Sequence, residues 1–469
     1  MKKEQSLLLE TIYYGFGRFG SKIISFFLLP VFTQYLTTAD YGILELINTT
    51  KSLLIPLLSL ELFKAMYRYL LDKSEKPWKI YSVSMNYTLL SSLFFLFLLL
   101  IIDISGLISY KFLWLVAAMC LLALFNNFHL QYLRATGNVK AFALIGIFST
   151  VISAVVNIIL IVVLQLGYIS IIFSSALTSL LSLLFIIFYF KTYRFYKWAF
   201  IDSSLLKKMI LYTLPLLPNS MSWWIIHLSD RYILRYHTDL GALGIYSIAN
   251  KFAAIYMLLL TIFYNAWQTH AIEHYEDADR DQYYSKVFSF FVFFQLLSIM
   301  AGVTIIKPLV SLMVEDSFAS AWVYIPILVL GTFFYGLSSF LGTGYLSSKK
   351  TSGAFLTTIY AAGINLLINI IFIPHFRLWA ATFSTLIAYF LLFVIRLHDT
   401  KKFFLLRFDW SNFMAGLVLT ITTLCSVLFF HEKVSYTVGP AALAIWIFLN
   451  KKQVKSFYYL IRGTRRKDA

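Results

Sequence analysis

Residues 80–104 read IYSVSMNYTLLSSLFFLFLLLIIDI, an apolar stretch that is long enough to cross a membrane as a helix. About 20 residues of helix span the hydrocarbon core of a bilayer. Thirteen further apolar segments flank this one and fill most of the chain. They predict an all-α polytopic membrane protein of about 14 transmembrane helices, at 8–36, 41–70, 80–104, 112–133, 139–165, 168–190, 209–234, 241–269, 284–313, 319–346, 352–374, 378–397, 411–430 and 436–450.

The composition supports this fold class. Hydrophobic residues make up 60% of the 469 residues and charged residues 13%, whereas soluble domains average about 45–50% apolar and about 25% charged residues. A disordered chain is excluded, and a water-soluble enzyme fits poorly. Two cysteines are too few for a disulfide scaffold.

The positive charges are unevenly distributed along the chain. It has 39 Lys and Arg against 22 Asp and Glu. With the N-terminus inside, the inside segments hold 27 of the cations and the outside loops hold 5. Cytoplasmic loops of membrane proteins are enriched in Lys and Arg, so both termini are expected in the cytoplasm. The basic C-terminal tail is then expected to contact anionic lipids, and no nucleic-acid partner is predicted.

Two short patterns recur along the chain at nearly the same offset. YGILELIN at 41–48 aligns with LGIYSIAN at 243–250, and NIIL at 157–160 aligns with NIIF at 369–372. Six spans per copy make the repeat parallel, with its axis along the membrane normal, as in some transporters. The predicted organisation is a six-helix bundle at 1–195, a second at 196–400, a central cavity between them, and two additional helices with a basic tail at 401–469.

Charged residues lie within the predicted spans, where each costs about 2.5–3.5 kcal/mol at the bilayer centre. If the first span began after Lys22, its remaining residues 23–36 would reach only about 21 Å. Arg18 and Lys22 therefore lie well inside this span and, with Tyr14, share one helix face. They are predicted to face a cavity; the alternative is a buried structural pair.

The second, seventh and eighth predicted spans add further charges, and cations exceed carboxylates in both halves even if Asp230 neutralises Arg231 or Lys251. Such an excess implies an anionic ligand. Buried asparagines could line the cavity or join helices. The predicted binding residues are Arg18, Lys22, Lys51, Arg231 and Lys251, and the supporting polar residues are Glu45, Asp230, Asn250, Asn157, Asn365 and Asn369.

Motifs for covalent chemistry are weak, and no catalytic residue is predicted. His270, Glu273 and His274 match the H-x-x-E-H pattern of some zinc proteases. They precede an acidic loop, and no further ligand has a convincing spacing. We therefore interpret them as a solvated helix end and predict no metal site. The P-loop and G-x-S-x-G patterns are absent from the sequence. No cofactor is predicted, and a coupling ion is left open.

Several motifs together resemble a known family, the polysaccharide-biosynthesis (Wzx-type) flippases of lipid-linked oligosaccharides in the MOP (MATE-like) superfamily. The resemblance covers nearly the whole chain. One departure is Arg377-Leu378-Trp379, where such proteins often have a glycine-bearing turn. The matching motifs are Pro30 with Tyr41-Gly42, QYLRATG at 131–137, Asp230-Arg231-Tyr232, Gly244-Ile245-Tyr246, Asn250-Lys251, NLLIN at 365–369, Ile373-Pro374 and Ala380-Ala381-Thr382.

The resemblance implies a bacterial inner-membrane flippase that moves an undecaprenyl-diphosphate-linked oligosaccharide to the outer leaflet by alternating access. It implies membrane lipids and the polyprenyl-diphosphate-linked glycan as partners, with a glycan polymerase or glycosyltransferases as further ones. The predicted cations would bind the diphosphate. Two alternatives remain, a MATE-like small-molecule exporter and a membrane glycan polymerase or acyltransferase.

Overall fold

The computed structural model describes residues 20, 22–72, 75–106, 112–350 and 352–455, and this part of the chain is built from helices and their connections. The helices are α1 (Lys22–Tyr35), α2 (Thr38–Ser59), α3 (Leu62–Asp72), α4 (Pro77–Ser105), α5 (Leu113–Ala135), α6 (Val139–Ile158), α7 (Ile169–Tyr189), α8 (Ser203–Thr213), α9 (Leu216–His237), α10 (Leu240–Glu273), α11 (Arg280–Thr304), α12 (Ile306–Met313), α13 (Ile325–Ser347), α14 (Ser352–Phe376), α15 (Leu378–Asp399), α16 (Trp410–Phe429) and α17 (Glu432–Leu449).

The described helices confirm a multi-pass membrane protein. Ten of them are long and apolar enough to cross a bilayer, and the bent pair α2–α3 makes eleven if it forms one span. The first, seventh and fourteenth predicted segments are not among these. The first lies partly outside the described residues and continues as the short helix α1, while α9 carries several charges. The total of fourteen therefore stays a prediction.

The predicted span at 41–70 consists of two helices, because the chain bends sharply within it. α2 and α3 meet at an angle of 51°. Leu60 and Glu61, between them, both have positive φ, 43° and 57°, which ends a right-handed helix. The break follows Pro56, whose ring removes a backbone donor inside α2.

The chain folds into two compact units, residues 1–244 and 245–469. In the first unit, a core that includes Phe63, Tyr81, Phe128 and Met209 joins α3, α4, α5 and α8. In the second, α13 is buried along most of its length and packs against α15 and α11. The three-part division at 195 and 400 rests on span topology rather than compactness, so it stays a prediction.

Two glycines let α2 and the first turn of α10 cross at very short range. A Cβ on Gly42 would lie 2.0 Å from the carbonyl oxygen of Leu240, and one on Gly244 would lie 1.9 Å from the carbonyl oxygen of Thr38. In the repeat predicted from the sequence, residues 202 positions apart correspond, so Thr38 corresponds to Leu240 and Gly42 corresponds to Gly244. Each of the two contacts is therefore the counterpart of the other. A local two-fold axis produces such reciprocal contacts, which supports the parallel repeat at these positions.

Adding a methyl group at this crossing is expected to be destabilising. The variant Gly42→Ala must push the two backbones apart by more than about 1 Å, because carbon–oxygen contacts are normally about 3.3 Å or longer. Overpacking of this kind costs about 1–3 kcal/mol. Thermal unfolding of the purified protein should show the loss. The control Gly302→Ala adds its methyl in open space on α11, and equal effects of the two substitutions would contradict the crossing.

Arg377 occupies the position at which the sequence departs from the family's glycine-bearing turn. It joins α14 to α15 with φ 50° and ψ −125°, a conformation that suits glycine and strains other residues. We expect Arg377→Gly to raise the free energy of unfolding by about 1 kcal/mol. The same change at exposed Arg235 inside α9 should lower it by about as much. Destabilisation by Arg377→Gly in thermal melts would refute the strain.

Candidate substrate-binding site

The structure brings three of the predicted polar residues together between α2 and α9. The Nε of Arg231 lies 3.0 Å from Oε1 of Glu45, and its Nη1 lies 2.5 Å from Oδ1 of Asp230. The guanidinium also donates to the carbonyl oxygen of His227. The side chains of Arg231 and Asp230 are only 5% and 1% exposed, and that of Glu45 is 18% exposed.

This pairing changes the role of Arg231. A buried charge is tolerated when it is paired and hydrogen-bonded, and Arg231 meets both conditions within the protein. Sequence reasoning placed Arg231 among the cations that bind a ligand, whereas in this structure two carboxylates already engage it. In this structure Arg231 therefore joins α9 to α2.

Further polar contacts continue along the same pair of helices. The hydroxyls of Thr50 and Tyr232 lie 2.5 Å apart, and the indole Nε1 of Trp224 donates to the carbonyl oxygen of Thr49 at 3.2 Å. Near the break after α2, Ser220 donates to Glu61 at 2.5 Å. Because apolar surfaces alone associate weakly in lipid, such interhelical hydrogen bonds help to set the register of α9 on α2.

The break itself carries an ion pair. Lys64 lies one turn after Glu61, and its Nζ is 3.0 Å from Oε1 of Glu61. The side chain of Lys64 is half exposed while that of Glu61 is 11% exposed. An exposed ammonium that reaches a nearly buried carboxylate fits a long side chain directed towards the membrane edge.

Lys51 differs from the paired cations. It lies 13 residues after Thr38 in α2, which places it about 20 Å along the helix axis. The residue is half-buried. Among the residues that the structure describes, none forms an ion pair or hydrogen bond with Lys51. The assignment of Lys51 to a binding site stays a prediction.

The other predicted cations are placed as follows. Arg18 lies outside the described residues. Lys22 is exposed at the start of α1, and Lys251 is half-buried on α10 in the second compact unit. Asn250, beside Lys251, donates to the carbonyl oxygen of Tyr246 at 2.9 Å. The assignment of Arg18, Lys22 and Lys251 to a binding site stays a prediction.

The predicted asparagines join helices. In the second unit, Asn365 and Asn369 of α14 are fully buried. The amide of Asn365 donates to the hydroxyl of Ser384 on α15 at 3.3 Å, and this hydroxyl donates to Oδ1 of Asn369 at 2.5 Å. The amide of Asn369 donates to Asn365 at 3.1 Å. Sequence analysis left open whether these asparagines line a cavity or join helices. The geometry favours a contact that joins α14 to α15.

The first unit has a related but more open arrangement. Asn157 donates to Ser153 of α6, whose hydroxyl lies 3.1 Å from that of Ser174 on α7. In the second repeated sequence pattern, residues 212 positions apart correspond, so Ser153 and Asn157 correspond to Asn365 and Asn369. Here, however, Oδ1 of Asn157 has no hydrogen-bond partner within the described residues. The residue is one of those that line a pocket of about 250 Å³.

Sequence reasoning missed one buried cation, Arg396. Its position near the end of the predicted span 378–397 suggests a charge at the membrane edge, yet it is 5% exposed. Its guanidinium donates to the hydroxyls of Thr357 and Thr358 and to the carbonyl oxygen of Ser338, at 3.0–3.2 Å. The small side chains of α13 and α14 leave room for the Arg396 side chain, and they were the one feature of the sequence that could have indicated its burial.

The H-x-x-E-H segment forms an exposed cluster at the end of α10. The potential ligand atoms of His270, Glu273 and His274 lie within 4.8 Å of one another. Nδ1 of His274 is already 2.6 Å from Oδ2 of Asp277. Each of these side chains is about half exposed, as the interpretation of a solvated helix end predicts.

Comparison with solved structures identifies the fold. The chain is similar to the lipid II flippase MurJ in an inward closed conformation, with a TM-score of 0.72 and 15% identity over 97% of this chain and 100% of that chain. It is also similar to an inward-facing multidrug resistance MATE family transporter of the MOP superfamily, with a TM-score of 0.65 and 12% identity over 81% of this chain and 93% of that chain. A Vibrio cholerae MATE transporter gives a TM-score of 0.59 and 14% identity over 85% and 96%, respectively.

Comparison at the level of sequence identifies the family. None of the curated proteins matches the chain. The family model described as "Polysaccharide biosynthesis protein" matches residues 7–268, which is more than half of the chain. This match is consistent with the motifs of the first half and with the transporter fold. The chain therefore belongs to the polysaccharide biosynthesis protein family.

Proposed function

We propose that this protein is a flippase that moves a polyprenyl-diphosphate-linked oligosaccharide across the bacterial inner membrane. Membership of the polysaccharide biosynthesis family supports the substrate class. The fold is shared with a lipid II flippase over nearly the whole chain. The protein catalyses no covalent step in this proposal; it provides a path through the membrane for a charged head group.

The observation that carries the proposal is that Lys51 has no ion-pair or hydrogen-bond partner within the part of the chain that the structure describes. A diphosphate cannot cross hydrocarbon without countercharges, because the cost of moving an ion out of water is large. A half-buried ammonium about 20 Å along a membrane helix supplies such a countercharge. Lys is a frequent phosphate ligand. A transporter for organic cations would instead be expected to present an unpaired carboxylate, whereas Glu45 and Asp230 both engage Arg231.

The orientation of the protein follows from its charges. The 27-to-5 distribution of Lys and Arg supports cytoplasmic N- and C-termini. The lipid-linked glycan would then be received from the cytoplasmic leaflet and delivered to the outer one. Enzymes that build the glycan before translocation, and a polymerase that extends it afterwards, would be its functional partners.

Reconstituted liposomes provide the test. Purified full-length protein should move a fluorescent polyprenyl-diphosphate oligosaccharide between leaflets, measured by loss of fluorescence to a membrane-impermeant quencher. Empty liposomes and liposomes with heat-denatured protein are the controls. We expect translocation only with the folded protein. Equal quenching in all three preparations would refute the flippase.

The same preparation separates the two alternative functions. Efflux of an organic cation dye without translocation of the glycan lipid would identify a small-molecule exporter. Growth of the glycan chain, detected by mass spectrometry, would identify a polymerase. We expect neither, because the described polar residues between α2 and α9 are engaged in holding the helices.

A further inference from the structure

A groove in the second compact unit lies at the membrane-edge ends of α14 and α15. It has a volume of about 930 Å³. Part of its wall is basic, with Lys349, Lys350 and Lys402, and part is apolar, with Leu356, Tyr360 and Val394. Both helices that form it are candidate membrane spans. The groove therefore meets lipid on one side and the aqueous boundary on the other.

The basic wall carries a net positive charge. Lys349 and Lys350 are exposed, in the turn after α13. Lys402 is offset by Asp399, whose Oδ1 lies 2.7 Å from the Lys402 Nζ. The other carboxylate oxygen of Asp399 accepts a hydrogen bond from the Tyr345 hydroxyl at 2.6 Å. The single acid is thus already engaged, and Lys349 and Lys350 remain available to an anion.

A buried cation behind the wall strengthens this charge. Thr357 lines the groove, and its hydroxyl accepts a hydrogen bond from Nε of Arg396 at 3.2 Å. The guanidinium of Arg396 donates its hydrogen bonds to hydroxyls and carbonyl oxygens, and no carboxylate among the described residues forms an ion pair with it. A buried charge without a counterion acts over a longer distance than an exposed one, because solvent screens it less.

The apolar wall is suited to an acyl chain. Leu356, Tyr360 and Val394 are 51%, 59% and 41% exposed, so their side chains face the surroundings of the helices. In a membrane these surroundings are lipid. A ligand that fills the groove must therefore join an anionic head group to an apolar tail.

We propose that this groove binds an anionic glycerophospholipid, with its phosphate at Lys349 and Lys350 and an acyl chain along Leu356 and Tyr360. The enrichment of inside segments in Lys and Arg places the groove in the cytoplasmic leaflet, where anionic lipids provide the ligand. Lys51 is not among the residues that line this groove.

Binding of labelled phosphatidylglycerol to the detergent-purified full-length protein tests this proposal. Each Lys near an anionic lipid surface contributes a several-fold gain in affinity, so Lys349→Gln combined with Lys350→Gln should weaken binding at least about tenfold. The matched control is Lys207→Gln with Lys208→Gln, which removes the same charge from exposed residues of α8. The control pair should bind nearly as the unmodified protein does.

Two further measurements define the ligand. Phosphatidylcholine with the same acyl chains should compete poorly, and inorganic phosphate at the same concentration should not compete. Equal binding of the two lipids, or equal losses in the two double variants, would overturn the proposal. Displacement by inorganic phosphate alone would overturn it in favour of a free-anion site. Unchanged melting temperatures of both variants will show that they remain folded.

Discussion

Replacing Arg231 with Gln is expected to lower the free energy of unfolding by about 3–5 kcal/mol, the range for breaking a buried ion pair from one side. The substitution leaves Asp230, which is 1% exposed, without the guanidinium 2.5 Å from its Oδ1. It also removes the contact of Glu45 that joins α2 to α9. Thermal unfolding of the purified protein should therefore shift down by several degrees.

The chain offers a matched control for this substitution. Arg235 lies one turn further along α9 and is exposed, so Arg235→Gln should change the melting temperature little. Adding Asp230→Asn to Arg231→Gln should recover part of the lost stability, because it removes the buried charge that the first change left unpaired. If Arg231→Gln melts like Arg235→Gln, the buried pairing between α2 and α9 is wrong.

Replacing Lys51 with Gln is expected to weaken binding of a polyprenyl diphosphate by about 10- to 100-fold, because a hydrogen bond to a charged group contributes about 1.5–3 kcal/mol. Stability should change little or increase, since Lys51 has no ion pair among the described residues and its burial is costly. Equilibrium binding of a labelled polyprenyl diphosphate to the purified protein measures this effect.

Two variants make the Lys51 result specific. Lys51→Arg keeps the positive charge and should retain most of the affinity. Lys208→Gln removes an exposed lysine from α8 and should leave the affinity unchanged. A Lys51→Gln variant that binds as tightly as Lys208→Gln would remove Lys51 from the proposed site.

The sequence alone was sufficient for the membrane fold and for the family, since both depend on patterns that repeat along the chain. Long apolar segments predicted most of the helices. The relation between Gly42 and Gly244 was visible as a short repeat, and the structure places the two glycines at one crossing. Such features are local or periodic, so they do not depend on which helices become neighbours.

The pairing of charges was not predictable in the same way. Sequence reasoning weighed Asp230 as a partner of Arg231, but Glu45 comes from a different helix and joins it only when α9 packs on α2. Arg396 lies near the end of a predicted span, as a charge at a membrane edge does, although Ser338 and Gly342 of α13 and Thr357 and Thr358 of α14 contact it. Whether a charge is compensated depends on tertiary neighbours, which a count of cations and acids along the chain cannot supply.

The central claim is that the protein recognises the anionic head of a lipid-linked glycan within the membrane. The most direct test compares translocation, in liposomes that contain the purified protein, of two labelled lipids with the same glycan and polyprenyl chain, one joined by a diphosphate and the other by an uncharged ether. We predict that only the diphosphate lipid is translocated and that Lys51→Gln slows this transport markedly. Translocation of both lipids at the same rate would contradict the account.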